Sequence, residues 1–377
     1  MAWTILKLCT SRAWGGMEMS MATSCERLRG RGHEVVPVCA PDSPIAERLA
    51  ARDFQALPFD LRGKFHPRLA WRLGNLILAR GVHLVHCDWS HDLFSAVPAL
   101  ARAPRVPLVL QKHVGVIRPK RLPVHVWLYR RVDHTIAISD VIRRNFVAMH
   151  PVGAERVSML HHGVDPDRFT PVPSVRARVR RELGVQDDEV LVGIVGRVTP
   201  AKGHPEFLAM ARRLVADGLP VRFVVVGEPT RGEELEGQAI LASIAEHGLQ
   251  DRVILTGFRD DVPDLLNAMD VFAFPSHAEA FGMALVEAMA AGLPAVSSDC
   301  DGVVDIVVQG ETGFMVPPRD AAALTAAVQR LVENPGLRRE LGAAARRRVL
   351  EHFTQEGYER RLEELYGSLI ARRRGRG

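Results

Sequence analysis

Residues 271–287 read VFAFPSHAEAFGMALVE. Four apolar residues, Val271–Phe274, run into a polar loop, and the loop runs into a segment of Ala, Met, Leu and Val. A short apolar run bounded by turn residues predicts a strand covered on both faces, as in a parallel sheet. A helix is predicted to start near Phe281–Gly282. Strand, loop and helix in this order make one step of a doubly wound α/β domain. Two acids, Glu279 and Glu287, bracket the loop-to-helix junction, and Glu287 is the only charged residue between Ala280 and Ser298. A carboxylate in so apolar a run needs a partner or a task.

The same step repeats on both sides. Upstream, strands are predicted at Thr4–Cys9, Glu34–Val38, Leu84–Cys87, Pro107–Gln111, His134–Ile138 and Val157–Leu160, with helices between them at Met17–Arg31, Arg68–Arg80 and Asp140–Met149. The stretch HHGVDPDRFTPVPS (161–174) breaks the rhythm with three prolines and reads as a linker. Strands then resume at Val190–Val195, Val221–Val226, Val253–Leu255, Val271–Phe274, Ala295–Ser297 and Gly313–Val316. After Pro335 the pattern is helical, ending in a helix near Gln355–Ala371 and the basic tail ARRRGRG. A chain of 377 residues accommodates two such domains. Two of them facing each other make a cleft, and ligands of such sheets bind at the carboxyl ends of the strands.

The loops after strands therefore carry the candidate chemistry. After the first strand, Gly15 and Gly16 precede a helix, which suits the backbone amides to an anion. The dinucleotide fingerprint GxGxxG is absent, which argues against a dehydrogenase. In GIVGRVTPAKGH (193–204), Arg197 and Lys202 sit five residues apart and can clamp a diphosphate, with Gly196 keeping the backbone close. Gly227 ends the next strand, and Gly257, Phe258 and Arg259 follow the one after it. At the opening segment, the amides of Phe281, Gly282 and Met283 are expected to be unsatisfied helix-start donors beside Glu279. Carboxylates for sugar hydroxyls, with amides and cations for phosphate, suit a ligand bearing both.

Composition narrows the class. Hydrophobic content of 47% and charged content of 25% are those of an ordinary globular protein. The five cysteines show no CxxC spacing and read as buried thiols in a reducing cytoplasm. The N-terminus lacks a basic region and a long apolar run, so no signal peptide is expected, and no stretch of about 18 apolar residues appears. Residues 1–170 hold 24 Lys/Arg against 14 Asp/Glu, and residues 171–377 hold 25 against 30. The basic first half is expected to face something anionic. The segment RPKRLPVHVWLYRR (118–131) combines five Lys/Arg with Trp127 and Tyr129 and is expected to form an interfacial helix docking on an anionic membrane surface.

These motifs together resemble the family 4 retaining glycosyltransferases. The Glu-x7-Glu element is EAFGMALVE, the arginine-lysine loop is GRVTPAKGH, and the glycine loop with its helix is WGGMEMSMATSCERLRGRGHEVVPV. VSMLHHGVDPDRF and QGETGFMV match two further elements. Two positions depart from the pattern: His162 stands where the family has Asn, and Asp305 where it has Glu. The resemblance implies the GT-B fold, with the last helix crossing back onto the first domain. The domains are then 1–170 plus 355–377 on the acceptor side, and 171–354 on the donor side.

The resemblance also implies roles. Glu287 meets the nucleotide ribose and Glu279 the donor sugar. Arg197 and Lys202 neutralise the diphosphate. Gly16 lies near the phosphates, and the amides of Phe281, Gly282 and Met283 donate to sugar or phosphate. His113, after the strand ending at Gln111, lies near the reacting sugar carbon. The implied reaction moves a sugar from a nucleoside-diphosphate sugar to an acceptor hydroxyl with retention, in cell-envelope polysaccharide, lipopolysaccharide or glycolipid synthesis. No cofactor and no metal are expected, although Asp299-Cys300-Asp301 and His161-His162 contain ligand-type residues. A nucleotide-sugar epimerase of the same fold is the alternative, and the combination of the two motifs favours transfer. A basic nucleic-acid-binding protein is the non-enzymatic alternative, disfavoured because few aromatics lie among the cations and no nucleic-acid motif is present. The expected location is cytoplasmic, peripheral on the inner face of the cytoplasmic membrane.

Overall fold

The computed structural model describes residues 2–60, 66–229 and 232–375. Thr230–Arg231, in the loop that follows Gly227, and Arg376–Gly377, at the end of the basic tail, lie outside the described residues.

The chain forms two compact units, Met1–His161 with Tyr358–Gly377, and His162–Gly357. The first holds a seven-stranded sheet: β1 (Thr4–Cys9), β2 (Glu34–Cys39), β3 (Leu57–Pro58), β4 (Leu84–Cys87), β5 (Leu108–Lys112), β6 (His134–Ala137) and β7 (Val157–Met159). Its spatial order is β3-β2-β1-β4-β5-β6-β7. The second holds β8 (Val190–Val195), β9 (Val221–Val226), β10 (Val253–Gly257), β11 (Val271–Phe274), β12 (Ala295–Ser298) and β13 (Gly313–Val316), in the order β10-β9-β8-β11-β12-β13. All pairings between these strands are parallel. The strand order reverses between β1 and β4 in one unit and between β8 and β11 in the other, so these are the switch points where such sheets bind ligands.

The apolar runs become strands because both faces are covered. Every residue of β1 is buried. Its alternation divides the core: Leu6 and Leu8 pack into one layer with Leu73, Ile77 and Leu128, while Ile5 packs into the other with Tyr358, Leu362 and Tyr366. That second layer is supplied by the terminal helix, Gln355–Arg374. Its part of the first unit is fastened by Tyr358, whose hydroxyl donates to Gln111 Oε1 at 3.2 Å, and by Glu363, 2.8 Å from both Arg31 and His33. In the second unit one layer gathers Val192, Ile194, Phe207, Phe223 and Val225.

The linker is more structured than its prolines suggested. Residues 162–170 belong to the second unit rather than the first. Val164 donates to the Phe353 carbonyl at 2.9 Å and accepts from the Gln355 amide at 2.8 Å. Pro166–Phe169 form a 3-10 turn capped by Asp165. The basic segment is also corrected. Only Pro123–Arg131 is helical; Leu128 and Tyr129 face the core, while Leu122 and Trp127 are exposed. Tyr129 therefore cannot belong to a surface-docking face. Among the described residues, no helix is long and apolar enough to cross a membrane.

Candidate active site

In the second unit, the loops leaving β8 and β11 converge at the switch point. Gly196 follows β8, and a 3-10 turn at Pro200–Lys202 leads to Gly203, which caps the His204–Ala216 helix in a left-handed conformation (φ 76°). A Cβ on Gly203 would lie 2.0 Å from the Pro275 carbonyl oxygen, so only glycine lets the lysine loop approach the β11 loop this closely. The His277 amide donates to the Ala201 carbonyl at 2.9 Å, and the His277 ring meets Glu206 at 3.0 Å. These contacts hold Lys202 against Glu279. Their side chains form a direct, partly buried ion pair. The Glu279 amide donates to Asp301 Oδ2 at 3.2 Å, and the Glu279 carbonyl accepts from Gly302 at 2.9 Å.

The other predicted donor-side residues divide into two groups. Arg197 pairs with Glu233 at 2.9 Å instead of joining Lys202. Arg259 is held by Asp261 at 2.6 Å and Glu182 at 2.8 Å, which neutralises the cation expected to line the site. Phe258 is exposed. Gly196, Gly227 and Gly257 serve one another: a Cβ on Gly227 would lie 2.0 Å from the Gly196 carbonyl oxygen, and the Gly227 amide donates to Gly257 at 2.9 Å. Their small size brings three strand ends together.

The helix after Glu279 starts later than expected. It spans Met283–Ala290, with Gly282 as its cap at φ 115°. The Phe281 amide thus precedes the helix, and the buried Phe281 ring packs edge-on to His162, with centroids 6.1 Å apart. The departure at His162 is therefore a packing contact beneath this loop. Glu287 is half-buried on the helix. Burial pushes its carboxyl up to about 7, opposed by the Arg168 cation. Among the described residues its side chain makes no hydrogen bond or ion pair.

In the first unit, His113 follows β5 and is buried. Its Nε2 lies 3.7 Å from Asp88 Oδ1, and Lys7 Nζ lies 2.9 Å from Asp88 Oδ2. Burial pushes the Asp88 carboxyl up, but Lys7 above all, with His86 and His113, outweighs burial and holds it well below the usual carboxylate range. Burial and Lys7 push His86 down to about 3. The Gly16–Gly30 helix begins at the glycine loop, with Gly15 as cap. Its first turn already holds an acid: the buried Glu18 carboxylate accepts a hydrogen bond from Ser11 and lies beside Gly15. Sequence reasoning passed over Asp88, Lys7, Glu18 and Glu233. The first could have been found by asking which acids directly follow a strand at the switch point.

Two family profiles match this chain in succession. The profile for glycosyltransferase family 4 matches residues 14–168, and that for group 1 glycosyl transferases matches residues 175–348. The chain belongs to this glycosyltransferase family. As a family member it is 28% identical over 367 residues to the alpha-D-kanosaminyltransferase of Streptomyces kanamyceticus, covering 87% of this chain and 93% of that protein. The fold matches a glycosyltransferase from Rickettsia africae ESF-5 with a TM-score of 0.89 at 20% identity, over 98% and 99% of the two chains. It also matches Anabaena Alr3699/HepE, solved in complex with UDP-glucose, with a TM-score of 0.82 at 23% identity, over 97% and 100%. These likenesses establish the GT-B fold. Among the described residues of this glycosyltransferase, no group of three or more His, Cys, Asp or Glu side chains is arranged to hold a metal ion. Asp301, from the Asp-x-Asp pair, accepts from the Glu279 amide.

Proposed function

We propose that this glycosyltransferase moves a sugar from a nucleoside-diphosphate sugar to an acceptor hydroxyl, with retention of configuration and without a metal. The observation that carries this reading is the Lys202–Glu279 pair at the β8/β11 switch point, eight residues before the unpartnered Glu287. Binding a donor would replace one ion pair by two ligand contacts, Lys202 on the diphosphate and Glu279 on sugar hydroxyls. Glu287, lacking a side-chain partner, would accept from the ribose hydroxyls. Loss of the nucleoside diphosphate builds negative charge on the β-phosphate. Lys202, the amides opening the Met283–Ala290 helix and Arg197, once released from Glu233, would stabilise it. The leaving phosphate would take the acceptor proton on the face it departs from. His113, held toward Asp88, would lie near the sugar carbon. The UDP-glucose complex of Anabaena Alr3699/HepE supports a nucleotide-sugar donor.

The acceptor is proposed to be a cell-envelope saccharide or glycolipid. Ile117, just before the 118–131 segment, and Leu122 and Trp127 within it are exposed beside its cations, which supports a cytoplasmic enzyme working against an anionic membrane surface. The experiment is sugar transfer and donor hydrolysis from UDP-, GDP- and ADP-sugars in the presence of EDTA. Lys202→Ala and Glu279→Ala are expected to lower turnover by about a hundredfold or more while still folding, with some loss of stability from the partner left unpaired. Wild-type turnover in either variant sinks the site, and activity that EDTA abolishes and Mn²⁺ restores sinks the metal-free mechanism.

A further inference from the structure

The carboxyl ends of β8 and β11 carry the donor site, and the amino ends of the same sheet carry something else. A cavity of about 770 Å³ opens there, reaching Asp270 just before β11 and Pro294 just before β12. Five arginines line it: Arg176, Arg338, Arg339, Arg346 and Arg347. The one acid in the lining, Asp270, is already paired with Arg176 at 2.6 Å and Arg180 at 2.9 Å. Arg338 is committed to the Leu331 and Val332 carbonyls, and Arg346 to those of Phe169 and Ala290. Arg339 and Arg347 are left over. Both are exposed, both lie on the Pro335–His352 helix, and neither makes a hydrogen bond or ion pair among the described residues.

Like charges gathered on one wall repel one another, so the cluster needs a reason. Burial, with Arg339 and Arg176 nearby, lowers the Arg338 guanidinium despite Asp270. Apart from Asn267, whose side chain is bonded to the Val172 amide and the Thr170 carbonyl, the rest of the wall is apolar, including Leu266, Met269, Leu293 and Leu350. An apolar wall with a few convergent polar groups is the usual composition of a small-molecule site, and a guanidinium fork matches a phosphate with two parallel hydrogen bonds. We propose that this cavity binds a phosphate monoester carried on an apolar body, with Arg339 and Arg347 on the phosphate and the aliphatic wall against the body. The site lies at the far end of the helix that carries Glu287: the cavity reaches Ala291–Pro294, and Arg346 donates to the last carbonyl of that helix. The proposal does not depend on the donor assignment.

The chemistry could come from a soluble phosphate or from a lipid headgroup, and two probes separate them. Phenyl phosphate is titrated by calorimetry, and vesicles containing phosphatidate are tested by co-sedimentation, against wild type, R339A/R347A and R197A/K202A. Wild type and R197A/K202A are expected to bind at least one probe alike, and R339A/R347A at least about tenfold more weakly. Binding of phenyl phosphate marks a soluble ligand, and binding of vesicles alone marks a headgroup. R339K/R347K keeps the charge and loses the fork, and is expected to fall between. Undiminished binding by R339A/R347A, binding lost only in R197A/K202A, or no saturable binding of either probe by wild type would each overturn the proposal.

Discussion

Glu287→Gln separates what a residue does for the fold from what it does for the ligand. The free carboxyl titrates near 4.5 in an unfolded chain and near 7 in the folded one. The folded state therefore holds more protons between these values, and stability falls as pH rises from about 4.5 to about 7. Above 7 the full cost applies. The shift corresponds to on the order of 3 kcal/mol, and less where the partly open helix face admits water. Glutamine keeps the shape and removes the charge. Glu287→Gln should thus match wild type near pH 4.5 and exceed it by up to about 3 kcal/mol at pH 8. For a unit of this size that is a rise in melting temperature on the order of 5–10 °C. Differences between variant and wild type cancel the other carboxylates, which titrate in both.

The donor should reverse the advantage. Ribose hydroxyls favour the ionised carboxylate, so binding should release a proton below pH 7, and affinity should weaken by up to tenfold per pH unit below that point. Calorimetry with UDP in buffers of different ionisation enthalpy reads the proton directly. A variant no more stable than wild type at pH 8 would refute the buried-charge argument. A variant that is more stable and binds UDP as well as wild type would refute the ribose assignment alone.

Three other perturbations test neighbouring features. Gly203→Ala forces a side chain into a left-handed backbone and against the Pro275 carbonyl, and should cost about 2 kcal/mol or more while lowering transfer with it; an unchanged melting curve would show that the two loops are not in contact. Lys7→Met strands the buried Asp88 carboxylate and should cost roughly 3–5 kcal/mol at pH 8. The loss should shrink toward pH 5.5, because His86, 3.8 Å from Asp88, is then freed to take up a proton; a pH-independent loss would contradict that exchange. Trp127→Ser with Ile117→Ser should reduce flotation on anionic vesicles at low salt, and wild-type flotation would remove this surface from membrane docking.

The strands were legible because parallel strands buried on both faces are written as apolar runs. β1, β4, β8, β9, β11 and β13 fall on the residues the runs predict. β3 was missed because Leu57–Pro58 is too short to show any period. The start of the Met283–Ala290 helix was misplaced by the left-handed turn at Gly282, a backbone state that a lone glycine does not announce. Charges were the least legible. The sequence shows that Arg197, Lys202 and Arg259 are cations in loops, but which acid each one meets is decided by the folding of distant segments. Glu279 lies 77 residues from Lys202, and Glu233 lies 36 residues from Arg197. Spacing along the chain carries no information about these pairings.

That difference bears on how the site works. Lys202 and Glu279 are each partly buried, and with no ligand each satisfies the other, so the fold is not burdened by an unpaired charge at its switch point. Arg197 is held in the same manner by Glu233. Glu287 is the exception, since Arg168 counters its charge without forming an ion pair and burial keeps its carboxyl protonated well above the usual carboxylate range. A ligand that brings anionic oxygens exchanges one partner for another at Lys202 and Arg197, which leaves the net electrostatic gain small and makes geometry the discriminating term. A ligand that brings vicinal hydroxyls to Glu287 instead satisfies a group that has no other hydrogen bond. The selectivity of this half of the site for a nucleotide over a bare diphosphate should therefore reside in Glu287, and inorganic pyrophosphate should bind Glu287→Gln and wild type equally while UDP distinguishes them. Equal loss for both ligands would place the role of Glu287 in the shape of the helix rather than in the ribose.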